Sequence, residues 1–109
     1  MGAEFFETVA IGDTAQQAFD TAVRHAEWES GHGGYTGTIA EKSEFVMLTD
    51  AKYGLLEPVD PDLARAVVET IEAKGDERIL SKRGPCGCIR LTPNPTGISR
   101  WMFFGWASS

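Results

Sequence analysis

The segment from Ser30 to Lys42 holds the residues best suited to chemistry in this chain, because glycines surround an imidazole, a phenol and three hydroxyls. Glycine lets the backbone adopt positive φ or approach a ligand closely, and consecutive exposed N–H groups can bind an anion. The segment therefore predicts a ligand-binding site. It names no reaction, and no motif elsewhere in the chain does so.

Each candidate ligand contact in this segment has a structural alternative. His32 and Tyr35 suit hydrogen bonding to a ligand or acid–base work, but His32 could bond the last carbonyls of a helix and Tyr35 could simply be packed. Threonine hydroxyls suit phosphate or ribose oxygens, yet threonine is also common at a strand edge. We assign no catalytic residue. The predicted ligand contacts here are His32, Gly33, Gly34, Tyr35, Thr36 and Thr38.

Cations and aromatic residues from other parts of the chain could complete this site. Arginine can grip a phosphate or carboxylate through two parallel hydrogen bonds, although a solvated turn explains a basic cluster nearly as well. The basic cluster consists of Lys82, Arg83, Arg90 and Arg100. The residues predicted to contact the ligand are Arg83, Arg90, Trp101 and Trp106.

Two further groups are interpreted as structural. Glu41 and Lys42 could form an ion pair or orient a substrate, but an exposed charged turn is the preferred interpretation. Cys86 and Cys88, even with His25 and His32, lack the usual spacing of a zinc site, so buried thiols are favoured over a metal or a nucleophile. We predict no metal and no cofactor.

Length, charge and composition limit the class of protein. The 109 residues, of which 42% are apolar, fit a single domain spanning residues 1–109. A formal charge of −6 disfavours nucleic acid and anionic membranes as partners. No apolar run approaches the roughly 20 residues that span a bilayer, and the start lacks a signal-peptide pattern. We therefore expect a cytoplasmic protein with neither nucleic acid nor membrane as partner.

Hydrophobic periodicity and turn residues predict the elements in the order β-α-β-α-β-β. The last two strands should pair as an antiparallel hairpin, and Ile79-Leu80 could add a short strand. This order predicts an α+β fold, a two-layer sandwich with a mixed sheet and both helices on one face. The predicted strands are Glu4–Ile11, Phe45–Thr49, Cys86–Leu91 and Ser99–Ala107, and the predicted helices run from an N-cap at Asp13 to Gly31 and from an N-cap at Asp60 to Lys74.

The last strand is apolar on both faces, although a strand with one face in water should alternate. A second subunit or a ligand could cover its outer face, and a central strand covered by a loop is the alternative. The pattern favours a homo-oligomer in which Trp101, Phe103 or Trp106 of one subunit lines a pocket of another.

Three stretches together carry a resemblance: Gly31–Lys42, Lys82–Ile89 and Trp101–Ser108. The chain resembles small uncharacterised proteins encoded by bacteriophages and their actinobacterial hosts. That resemblance implies a context and no catalytic residues. Small acidic phage proteins of this size resemble counter-defence factors, which either trap a signalling nucleotide or cover a host protein.

Three functions follow as hypotheses. The first is a non-catalytic protein that sequesters a small polar ligand, such as a nucleotide-derived signal. The second is an inhibitor whose acidic surface covers a host protein. The third is a small hydrolase that uses His32 and Glu41 in acid–base roles. The candidate acidic surface consists of Glu69, Glu72, Asp76 and Glu77.

Overall fold

The computed structural model describes residues 2–30, 36–48 and 53–108, in which it contains four strands and two α-helices. The strands are β1 (Ala3–Ile11), β2 (Phe45–Met47), β3 (Cys86–Leu91) and β4 (Arg100–Ser108). The helices are α1 (Ala15–Ser30) and α2 (Pro61–Lys74), and a 3₁₀ turn covers Ile39–Glu41. The predicted order of elements is confirmed.

The strands form one mixed sheet in the order β1-β4-β3-β2. β4 is antiparallel to both of its neighbours, whereas β2 pairs with β3 in parallel. The α+β class, the mixed sheet and the final hairpin are therefore confirmed. The predicted strand at Ile79-Leu80 is wrong: Ile79 lies in a turn, where its N–H donates to the carbonyl of Asp76 at 2.9 Å, and its apolar side chain fills the core.

The two helices pack on opposite faces of the sheet, so the predicted two-layer arrangement with both helices on one face is wrong. Phe19 of α1 belongs to a cluster with Phe103, whereas Val68 of α2 belongs to a cluster with Phe104. Successive side chains of a strand point to opposite faces, so neighbouring residues of β4 enter different clusters. The sheet is the middle of three layers.

Strand order explains why the helices separate. The chain crosses from β1 at one edge to β2 at the other through α1, and α2 then carries it back to the adjacent β3. Crossovers between parallel strands are right-handed almost without exception. Two right-handed crossovers that run in opposite directions across a sheet place their helices on opposite faces.

The position of β4 explains its apolar character. It lies between β1 and β3, with one helix layer over each face, and Trp101, Met102, Phe103 and Phe104 are all buried. The alternative of a central strand is therefore correct, although the second face of this strand is covered by a helix and not by a loop. Because no partner is needed to cover this strand, homo-oligomer formation stays a prediction without this support.

The N-cap of α2 was predicted correctly, whereas that of α1 was not. Asp60 caps α2 as predicted, since its carboxylate accepts hydrogen bonds from two backbone N–H groups of the first turn, and Pro61 is the first helical residue. At α1 the predicted cap is one residue early. The Thr14 hydroxyl accepts from the N–H of Gln17 at 3.2 Å, and the Gln17 side-chain carbonyl accepts from the N–H of Asp13 at 3.0 Å.

Candidate functional site

A groove of about 560 Å³ lies between β1 and α1, and we call it the β1–α1 groove. One wall is formed by consecutive residues of β1, from Phe6 to Ile11, and one end is closed by Thr38 and Ile39. The other wall is one side of α1. Its residues are Thr21, Ala22, His25, Ala26 and Glu29.

The backbone of β1 faces outward along this groove at alternate residues. The N–H of Gly12 donates to the carbonyl of Ser99 at 3.2 Å, which makes that pair a hydrogen-bonded pair of the β1–β4 ladder. Bonded and non-bonded pairs alternate in an antiparallel ladder. The N–H and C=O groups of Ala10 and Thr8 therefore point to β4, and those of Ile11, Val9 and Glu7 point away from the sheet.

The groove has an apolar floor and a polar rim. Thr8, Thr21 and His25 supply hydroxyl and imidazole groups, and Glu29 lies 3.2 Å from His25 Nε2. Glu7 also lines the groove, but its side chain points to the opposite face of the sheet, where its carboxylate lies 3.5 Å from the Arg65 guanidinium of α2. No lysine or arginine lines the groove among the described residues. The floor residues are Phe6, Ala10, Ala22, Ala26 and Ile39.

Thr36 and Thr38, two predicted ligand contacts, hold their own loop together. The N–H and hydroxyl of Thr36 donate to the Glu41 carboxylate at 3.1 and 2.8 Å. The two hydroxyls lie 2.8 Å apart, and Thr38 also accepts from the N–H of Ala40 at 3.2 Å. Because the one hydroxyl proton of Thr36 goes to Glu41, Thr38 donates to Thr36. Of the two, Thr38 alone lines the groove.

Gly37, between these threonines, requires glycine. Its φ is 70°, and a Cβ there would collide with the carboxylate of Glu4 on β1. Its N–H donates to the Ser108 carbonyl at 2.7 Å, which ties the loop to the end of β4. The glycine thus permits a close approach to the protein's own sheet.

Lys42 is buried, so its interpretation as part of an exposed turn is wrong. Its Nζ donates to the carbonyls of Ser81, Lys82 and Gly84 at 3.4, 3.1 and 2.9 Å. Burial lowers the pKa of this ammonium below its ordinary value. Lys42 also borders a shallower depression beside α1, but its three donors already serve the backbone.

The predicted arginines and tryptophans do not meet at one site. Arg83 precedes β3, whereas Arg90 lies near the opposite end of that strand, with its guanidinium 5.4 Å from the centre of the Trp101 ring. Trp101 donates its indole N–H to the Gly12 carbonyl at 2.9 Å. Trp106 lies on the other face of the sheet, where its ring meets that of Phe5 in an edge-to-face contact. Arg100 donates to the carbonyl of Thr92 at 2.9 Å, within its own hairpin.

His32, Gly33, Gly34 and Tyr35 lie outside the described residues, so their predicted role remains a prediction. The residues that sequence reasoning missed are those of α1. Thr21, His25 and Glu29 are spaced by four residues, which places them on one side of a helix, beside the apolar stripe. This four-residue spacing is the sequence signal from which these groove residues could have been predicted.

The two cysteines are buried thiols, as the sequence analysis preferred. Cys86 and Cys88 are free and fully buried under α1. Burial raises the pKa of Cys86 to about 12 and that of Cys88 still further. Within the described ranges, no three His, Cys, Asp or Glu side chains are grouped so as to hold a metal ion.

Both thiols are expected to be unreactive in the folded protein. With Ellman's reagent at pH 8, we expect no thiol release in buffer over minutes and release of both thiols in guanidinium chloride, because only unfolding exposes the sulfur atoms. Fast reaction in buffer would contradict the burial of β3. The reagent's reaction with glutathione at the same pH is the control.

A buried carboxylate lies outside the groove. Asp76 accepts from Nε and Nη2 of Arg78 at 2.9 and 2.8 Å and also from the hydroxyl of Tyr53. Its side chain has no exposed surface, and the Arg78 guanidinium holds the pKa of that carboxyl well below its usual range. Burial, followed by this hydrogen bond, raises the pKa of Tyr53 to about 12. Asp76 therefore does not belong to an exposed acidic surface, whereas Glu69, Glu72 and Glu77 are exposed.

Comparisons with protein-family models, with curated proteins and with solved structures find no match to this chain. Of the helices in the described ranges, neither has the length and hydropathy needed to cross a bilayer. The site is therefore interpreted from its own chemistry.

Proposed function

We propose that this chain is a binding protein that holds its ligand in the β1–α1 groove without catalysis. The observation that carries the proposal is a concave surface with an apolar floor, a few polar groups on its rim and unpaired strand backbone along one side. Ligand sites combine these features, since apolar area supplies affinity and a few polar groups fix orientation.

The charge of the groove limits the ligand. Among the described residues, Glu29 supplies a carboxylate to its rim, and no lysine or arginine lines it. An anionic ligand would meet repulsion there, with no arginine to compensate. We therefore propose a neutral or cationic ligand for this groove. The nucleotide-derived ligand and the counter-defence role in a phage remain predictions with no support from this groove.

Three small indoles of different charge provide the test. In ¹⁵N NMR titrations, we expect indole and tryptamine to shift amides of Phe6–Ile11 and Thr21–Glu29. We expect indole-3-acetate to shift them several-fold less at equal concentration, because its carboxylate lies near Glu29 with no lysine or arginine in the groove to compensate. Such shifts would locate the site and its charge preference in one experiment.

A groove-filling variant supplies the matched control. Ala26→Trp places a large ring in the groove and should abolish the shifts, whereas Ala66→Trp, on the exposed side of α2, should leave them unchanged. If no indole shifts these amides, or if Ala26→Trp binds as well as the wild type, the proposal is wrong.

A further inference from the structure

We propose that the ligand of the β1–α1 groove is an extended peptide segment of a partner protein, rich in lysine or arginine and in apolar residues, which adds to β1 as a further strand. This inference rests on the proposed function and names the class of partner. Three observations carry it: the outward backbone groups of β1, the absence of proline, lysine and bulges from that strand, and the carboxylates on either face of its edge.

The outer edge of β1 offers a row of backbone hydrogen-bonding groups. The ladder with β4 directs the N–H and C=O groups of Glu7, Val9 and Ile11 outward, and no hydrogen bond within the described ranges reaches them. Six consecutive residues of β1 line the groove, although their side chains alternate between faces, so backbone atoms of this strand form part of its wall. A peptide that pairs with this edge would therefore lie beside the groove.

In the part of the chain that the structure describes, this edge has few of the devices that normally prevent strand addition. Sheet edges are protected by proline, charged side chains (lysine especially), bulges or covering segments, and the charges of β1 are the carboxylates of Glu4 and Glu7, which repel acidic strands only. β1 contains no proline or lysine in its nine residues, and its register with β4 is unbroken from Ala3 to Ile11. Val9 and Ile11 are 47% and 51% exposed on the face opposite α1. An added strand could thus bury apolar side chains on both faces.

The pairing geometry assigns alternate side chains of the peptide to two environments. Side chains directed toward α1 would meet the apolar floor of Phe6, Ala10 and Ala26, with His25 and Glu29 at the rim. Main-chain bonds supply affinity in this mode of recognition, and pockets for alternate side chains supply specificity. Glu29 on the α1 side and Glu7 on the opposite face flank the two sides of this edge, and both carboxylates favour lysine or arginine in the peptide.

A second copy of this chain fits the same edge less well. It would bring Glu4 and Glu7 of its own β1 to an acidic groove in a protein of charge −6. A foreign basic strand avoids this repulsion.

The test uses a fluorescein-labelled heptapeptide that alternates lysine and valine, with binding followed by anisotropy. Two matched peptides serve as probes: one with its interior amides N-methylated and one with glutamate in place of lysine. We expect the N-methylated and the glutamate peptides to bind at least about tenfold more weakly, because the first cannot pair as a strand and the second is repelled.

Val9→Pro tests the edge from the protein side. It removes an outward N–H while leaving the bonds to β4, a substitution that edge strands tolerate. We expect about tenfold weaker peptide binding with an unchanged melting temperature. Leu56→Pro is the matched control variant, because Leu56 is exposed and lies outside the strands and helices, and it should bind the peptide normally. Leu63 is also exposed but lies in a helix, so proline there would be an unsuitable control.

The outcomes separate this inference from the proposed function. If tryptamine shifts the groove amides but the lysine–valine peptide does not bind, or binds equally when N-methylated, strand addition is wrong and the groove remains a ligand site. If sedimentation shows a dimer that Val9→Pro dissociates, the occupant is a second copy and the inference is overturned. If neither tryptamine nor the peptide binds, the proposed function fails as well.

Discussion

Asp76→Ala is expected to lower the free energy of unfolding by about 3–5 kcal/mol, because it leaves the partly buried Arg78 guanidinium without its carboxylate. It also leaves the Tyr53 hydroxyl without its acceptor. Urea unfolding at pH 7, followed by tryptophan fluorescence, measures the change. Glu72→Ala, an exposed carboxylate of α2, is the matched control and should change stability by less than about 0.5 kcal/mol.

The same carboxylate should make the fold sensitive to acid. Its pKa in the folded protein lies below the ordinary carboxyl value, so its contribution is complete above about pH 4 and is lost as the pH falls further. As the pH falls below about 4, the wild type should therefore lose stability more steeply than the Ala variant, because the carboxylate of the unfolded chain takes up a proton there and that of the folded protein does not. If Asp76→Ala does not fold, Tyr53→Phe should cost about 1 kcal/mol. Equal acid profiles for wild type and variant would contradict this assignment.

Phe103→Ala and Phe104→Ala are each expected to cost about 3–5 kcal/mol, since both side chains are fully buried in the central strand. Phe103 packs against Phe19 and Phe45, with ring centroids 5.6 and 5.7 Å away. Phe104 lies on the other face, in the cluster of α2. The two variants should lose similar amounts of unfolding free energy, although the residues around the two rings differ.

Hydrogen exchange distinguishes the two variants. Phe103→Ala should speed amide exchange mainly in α1, and Phe104→Ala mainly in α2, because each cavity opens beneath a different helix. Leucine at either position should cost less and serves where the alanine variant unfolds. Faster exchange of the same helix in both variants would contradict the placement of the helices on opposite faces.

Much of the fold could be predicted from local signals in the sequence. The start of α2 at Asp60-Pro61 and the apolar stripe of α1 are signalled by residues close together in the chain, so the two helices, the four main strands and their order were predicted correctly. The layers could not be predicted in this way, because they depend on strand order. That order is fixed by contacts between residues far apart in the chain, such as the pairing of Ala3 with Ser108.

Less of the candidate site could be predicted. The glycine-rich segment directed attention to residue types, yet Thr36 and Thr38 turned out to bond within their own loop, and Gly37 to fit closely against Glu4. The β1–α1 groove depends on β1 being an edge strand, which no local pattern indicates. Lys42 looked exposed because its three carbonyl partners lie some forty residues away.

Amide hydrogen exchange along β1, with and without the lysine–valine peptide, tests the central claim most directly. In the free protein we expect slow exchange at Thr8 and Ala10, which bond to β4, and fast exchange at Val9 and Ile11, which face the groove. Saturating peptide should slow Val9 and Ile11 at least about tenfold, as expected for newly bonded amides. Protection of Val9 and Ile11 in the free protein, or no slowing when peptide is bound, would contradict an open strand edge that binds a partner.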